Sequence, residues 1–64
     1  MKPYERLREY RKNILKINQD EFARRLCMSR SNVGNIEVGR IELTDRTIKQ
    51  ICSEFGVSEH WIRT

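Results

Sequence analysis

An all-α, five-helix single domain is what the 64-residue sequence predicts, on three observations. One local arrangement occurs four times: an apolar residue, a capping residue, then a second apolar residue five positions after the first. These are Ile17-Asn18…Phe22, Met28-Ser29…Val33, Leu43-Thr44…Ile48 and Val57-Ser58…Ile62. Each matches a hydrophobic staple, in which the residue before the N-cap packs on the fourth helical residue while the cap side chain accepts an orphan N–H. Apolar residues also fall into stripes at helical spacing. Finally, the length suits one compact domain and not two.

The elements follow in order. Pro3, a favoured first-turn residue, opens a helix expected over 3–15 with Leu7, Tyr10 and Ile14 inward. Asn18, with Glu21 three residues on as a capping box, opens a second over 19–26 with Phe22, Ala23 and Leu26 inward. Ser29 opens a third over 30–38, its inward residues Val33 and Ile36. Thr44 opens a fourth over 45–55, with Ile48, Ile51, Cys52 and Phe55 inward, and Ser58 a fifth over 59–63. Gly39 and Gly56 stand where C-terminal caps belong. The rival for "IEVGRIEL" is a hairpin turning at Gly39-Arg40. Helix is preferred, because an isolated hairpin is marginal and no third strand is available.

Thirteen Lys and Arg against nine Asp and Glu give +4, which permits a polyanionic partner without demanding one. The excess is uneven: residues 1–19 carry six basic and two acidic side chains, residues 41–64 three and four. Apolar runs never exceed three residues, so neither a membrane span nor a signal-peptide core is expected. Two cysteines and one histidine make neither a disulfide framework nor a four-ligand zinc site; a reduced, intracellular protein without metal or cofactor is expected. His60 has no evident nucleophile partner, phosphate-binding glycine loops are absent, and no small-molecule ligand is indicated, which argues against an enzyme. Cys52 reads as a core residue. Cys27, near Arg24 and Arg25, is a redox thiol only as a minor alternative.

The stretch "SRSNVGNIEVGR" raises the functional question. With Val33 and Ile36 inward, Ser31, Gly34, Asn35 and Val38 point outward, with Arg30 and Asn32 on the flanks. Ser, Gly and Asn in place of Ala weaken a helix by roughly 2 kcal/mol in total. The bland reading is a poorly optimised surface helix. The functional one is a face that must be approached closely and hydrogen-bonded, with Asn and Ser able to read base edges and Arg30 able to fork. The short turn from the second helix to the third favours the latter, since two short helices so joined form a helix-turn-helix.

The stretch "NQDEFARRLCMSRSNVGNIEVGR" resembles the helix-turn-helix of the phage-repressor/Cro type, also called the xenobiotic-response-element family. The resemblance covers about Leu7 to Ile62. Its matching features are Gln19 opening helix two, Ala23 at the tight crossing, Val33 and Ile36 inward, then Glu37 and Gly39. "TDRTIKQICSEFGVSEHWIRT" resembles helices four and five of phage-type regulators. Two departures stand out. Cys27 occupies the turn position where glycine is common, at a cost of roughly 1 kcal/mol if it is left-handed. The link from helix one to Gln19 is one residue longer than usual.

The resemblance implies a lambda-repressor-like bundle with helices two and three (about 19–38) as the helix-turn-helix, and double-stranded DNA as partner. It implies base reading by Arg30, Ser31 and Asn35, with Asn32 and Gly34 against the groove wall. Gln19 and Arg40 would hold phosphates, and Arg11 would pair with Glu37. For Arg40 the bland reading is a solvated charge after a glycine cap. Two function classes stay open. One is a cytoplasmic, nucleoid-associated transcription regulator of bacterial or phage origin: a repressor binding a palindromic operator as a homodimer, with Trp61 and Ile62 as candidate dimer contacts. The other is a protein-interaction module of the same fold, such as an antitoxin. The polar outward face favours DNA over a protein partner, which would select aromatic and long apolar residues.

Overall fold

In the structure, a computed structural model describing all of residues 1–64, each of the four expected caps closes its helix. Asn18 Oδ1 accepts from the Glu21 N–H at 2.8 Å and Ser29 Oγ from the Asn32 N–H at 3.0 Å. Thr44 Oγ1 accepts from the Thr47 N–H at 3.2 Å and Ser58 Oγ from the Trp61 N–H at 3.4 Å. The staple residues behave as a set: Phe22, Val33, Ile48 and Ile62 are buried, while Ile17, Met28, Leu43 and Val57 pack over them from the rim. The capping box expected at Asn18 is half formed, because the Glu21 side chain makes no returning bond. A returning bond is found at the first helix instead, where the Lys2 N–H donates to Glu5 Oε1 at 2.8 Å.

Helix α1 covers Pro3–Glu9 and runs into a π-helical segment, Tyr10–Leu15. Then come α2 at Gln19–Arg25, α3 at Arg30–Glu37, α4 at Asp45–Phe55 and α5 at Glu59–Arg63. No strand forms, so the stretch proposed as a hairpin is the end of α3 and its exit loop. Leu7, Phe22, Leu26, Val33, Ile36, Ile48 and Ile51 are at the centre of one core. Phe22 stacks on Phe55 at 5.1 Å, and the Arg25 guanidinium lies 4.7 Å above the Phe55 ring while pairing with Glu54. Gln50 Nε2 donates to the Leu26 carbonyl at 2.6 Å, joining α4 to the end of α2.

The π-helical segment corrects one expectation. Ile14 is not in the core but 60% exposed. A turn closed by i→i+5 bonds holds one residue more than an α turn, which advances the buried face by one position. Arg11 and Leu15 therefore turn inward where an unbroken helix would bring Ile14. This wide turn leads into the link to Gln19. It closes with the Lys16 N–H on the Arg11 carbonyl, Lys16 taking a left-handed φ of 55°. Deleting exposed Asn13 should let the segment rewind as α-helix, with Leu15 then one heptad after Leu7. Unfolding in urea should stay cooperative, with stability within about 1 kcal/mol of the parent; an unfolded deletion variant would count against this account.

The turn between α2 and α3 is tight because α2 ends on a left-handed residue. Cys27 has φ 58°, the Met28 N–H donates to the Ala23 carbonyl at 2.8 Å and the Cys27 N–H to the Arg24 carbonyl at 3.2 Å. This is the paired-bond helix stop that usually has glycine at its left-handed position. Cysteine adopts it at a strain of about 1–2 kcal/mol, and Ser29 caps α3 immediately afterwards.

Helix α5 corrects a second expectation. Ile62 is 0% exposed, so it offers no surface to a second copy: as the fourth residue of a stapled helix it faces the core. Trp61 is half-buried, its ring 5.6 Å from that of Tyr10 and under the Arg6 guanidinium at 5.0 Å. Arg63 pairs with Asp45 at 2.9 Å, fastening α5 to the start of α4.

Candidate nucleic-acid interface

What positions α3 is a buried network around Glu37. Its carboxylate, on a residue 2% exposed, accepts a fork from Arg11: Nε to Oε2 at 2.7 Å and Nη2 to Oε1 at 3.0 Å. A third donor, Gln19 Nε2, reaches Oε1 at 2.9 Å. Arg11 Nη1 also donates to the Ile17 carbonyl at 2.8 Å. One carboxylate, with Arg11, thus joins the π-helical segment, the link before α2, the first residue of α2 and the last residue of α3. A buried charge is tolerated only when paired and fully hydrogen-bonded, and here it is. The Arg11–Glu37 pair is where the sequence resemblance put it. No local pattern points to the Gln19 bond, which connects residues 18 apart.

With Val33, Ile36 and Glu37 buried, the opposite side of α3 presents exposed Ser31 with half-buried Asn35 and Gly34. Asn32 is half-buried on one flank, and Arg30 is exposed on the other. Val38, 59% exposed, ends the same stripe. Gly34 lies beside the Gln19 carboxamide: a Cβ added there would meet Gln19 Oε1 at 3.8 Å and Nε2 at 3.9 Å. Gly34 therefore sits where α2 reaches across to α3, besides keeping the outward face low.

The exit from α3 is pinned. Gly39, at φ 82°, has the Tyr4 ring against it, so that a Cβ there would come within 2.8 Å of Cζ. The Arg40 N–H donates to the Asn35 carbonyl at 2.9 Å. This holds the backbone of Arg40 one turn from the Asn35 side chain and leaves the guanidinium exposed.

The arginines sort by whether a carboxylate pairs with them. Arg11, Arg25 and Arg63 are the arginines with carboxylate partners, whereas Arg30 and Arg40 form no ion pair. Arg30 is the first residue of α3, whose first turn has no acidic residue. A cation there meets the positive end of the helix dipole, an arrangement that costs stability unless an anion is brought to it. A recess of about 120 Å³ beside it is lined by Asn18, Gln19, Asp20 and Arg30.

The largest concavity, about 520 Å³, is an open trough between α1 and the end of α3, with Tyr4, Glu5, Arg8, Glu9 and Lys12 on its walls. Its charges alternate in sign, and it brings no nucleophile to a base. No three metal-ligating side chains converge anywhere in the fold. Burial pushes the Cys52 thiol up, with the nearby Glu59 adding to the rise and Arg63 opposing it; this keeps it a neutral packing residue. Cys27 is exposed. No helix is long and apolar enough to cross a membrane.

A family model described as helix-turn-helix matches residues 7–62. Comparison with curated proteins and with solved structures finds no match.

Proposed function

Because the chain belongs to the helix-turn-helix family of the phage-repressor/Cro type, whose members are DNA-binding regulatory domains, we propose that it is a sequence-specific transcriptional repressor. It binds a palindromic operator in the cytoplasm as a symmetric dimer, with α3 in the major groove. One observation carries this reading: a small, polar outward face headed by an unpaired arginine, on a helix held rigidly by Glu37. Arg30, Ser31 and Asn35 read base edges, Asn32 and Gly34 lie against the groove wall, and Gln19 and Arg40 hold phosphates. With Ile62 buried, Trp61 is the remaining candidate for the dimer contact.

Selection of bound duplexes from a random pool tests this reading. Two half-sites should be enriched, centred about 10–10.5 base pairs apart or a multiple of that. Failure to enrich any duplex would instead favour the protein-interaction module, for which exposed Val38 and Ile41 would be the anchor points.

On a selected duplex, Arg40→Ala should weaken binding to all sequences alike and lower the salt dependence by about one phosphate's worth. Asn35→Ala should instead relax discrimination at one base position by roughly 1–3 kcal/mol. Identical behaviour of the two variants in salt titrations would overturn the division into positioning and reading contacts.

A further inference from the structure

Resting on the DNA-binding reading, a more specific role follows for the buried carboxylate. A glutamine amide can flip end for end, and an exposed one does so freely. Gln19 cannot: with Nε2 at 2.9 Å from Glu37 Oε1, a flip would set its carbonyl oxygen against a carboxylate oxygen with no hydrogen between them. Glu37 cannot turn away either, because Arg11 holds both of its oxygens. The amide also lies along Gly34, with both polar atoms at similar distance from that position. Nε2 has two hydrogens and Glu37 takes one.

We propose that Glu37 is a positioning residue for DNA contact acting through Gln19. The carboxylate fixes the carboxamide so that its second N–H is offered beside Gly34, as a neutral donor of set direction, to a phosphate of the DNA backbone. The chain of support runs from Arg11 in the π-helical segment through Glu37 on α3 to Gln19 on α2, so the three elements must be assembled before this donor points correctly. This explains why an ion pair in the interior and a half-exposed amide at the interface share one oxygen atom.

Two readouts test it. In the free protein, the two side-chain amide protons of Gln19 should be well separated by NMR, with the proton facing Glu37 shifted downfield and slow to exchange. Glu37→Met, which leaves the amide no acceptor, should collapse this signature. On a duplex selected from the random pool, Gln19→Met should weaken binding about tenfold without changing the salt slope, since a neutral donor displaces no counterion. Glu37→Met should weaken binding by a similar factor, and adding Gln19→Met to it should weaken binding no further. Multiplying effects would mean that Glu37 does not act through Gln19, and would overturn the proposal. Gln19→Met leaves the ion pair untouched, so the proposal stays falsifiable if Glu37→Met does not fold: wild-type affinity in Gln19→Met, or solvent-like exchange of the Gln19 amide in the wild type, overturns it. Failure to enrich any duplex overturns the DNA-binding reading as a whole, whereas enrichment with wild-type affinity in Gln19→Met overturns this proposal alone.

Discussion

Replacing Arg11 by Met should lower the unfolding free energy by about 3–5 kcal/mol, the cost of leaving a buried charge without its partner. The size of the effect comes from the state of Glu37, which is 2% exposed and receives two of its three hydrogen bonds from Arg11. Water cannot replace those donors without opening the π-helical segment away from α3. The same substitution frees the Ile17 carbonyl, which accepts from Arg11 Nη1 at 2.8 Å, and so loosens the approach to the Asn18 cap. A domain of 64 residues has about 3–10 kcal/mol of total stability at the usual yield per residue. Much of the Arg11→Met population should therefore be unfolded at moderate temperature, visible as lost helical circular dichroism and a much earlier urea midpoint. The double variant Arg11→Met, Glu37→Leu should recover a large part of the loss, because removing both charges removes the desolvation problem with them. A single variant as stable as the parent would mean that the pair is accessible to water.

Local physics made most of this fold legible. A cap and a staple need only six consecutive positions, so the starts of α2, α3, α4 and α5 can be read directly, and each forms with its cap side chain on the expected N–H. What was hidden depends on longer range. The wide turn at Tyr10–Leu15 leaves no mark in composition. An unbroken α-helix over 3–15 would turn Ile14 inward, whereas the wide turn exposes it and brings Leu15 against the core. The burial of Ile62 is legible locally, because the staple beginning at Val57 requires Ile62 to face inward. The Gln19–Glu37 bond joins residues 18 apart and becomes visible only once α2 and α3 are packed. At the candidate interface, residue types were legible because weak helix formers on an outward face have no stabilising purpose. Their support was not, because it runs through side chains whose partners are set by tertiary contact.

Replacing Gly34 by Gln should abolish operator binding while leaving the domain folded. Glycine in a helix interior costs about 0.8–1.0 kcal/mol relative to alanine, and the space at this position does not demand it for folding. A Cβ would meet only the Gln19 amide, at 3.8 and 3.9 Å, which is ordinary van der Waals contact. Gly34→Ala should therefore stabilise the protein by about 0.8–1.0 kcal/mol and weaken binding only modestly. Glutamine is also a better helix former than glycine, so loss of binding in Gly34→Gln could not be assigned to unfolding. Its longer chain must either push the Gln19 carboxamide off Glu37 or stand out from α3 beside Ser31 and Asn35, in the space a groove wall would occupy. Either course removes the close approach. Urea melts and duplex titration on the same preparations separate the effects, and the expected pattern is stability rising while affinity falls. A stabilised Gly34→Gln protein with unchanged operator affinity would mean that this side of α3 faces water even in the complex. The run of serine, glycine and asparagine on α3 would then have to be explained without DNA.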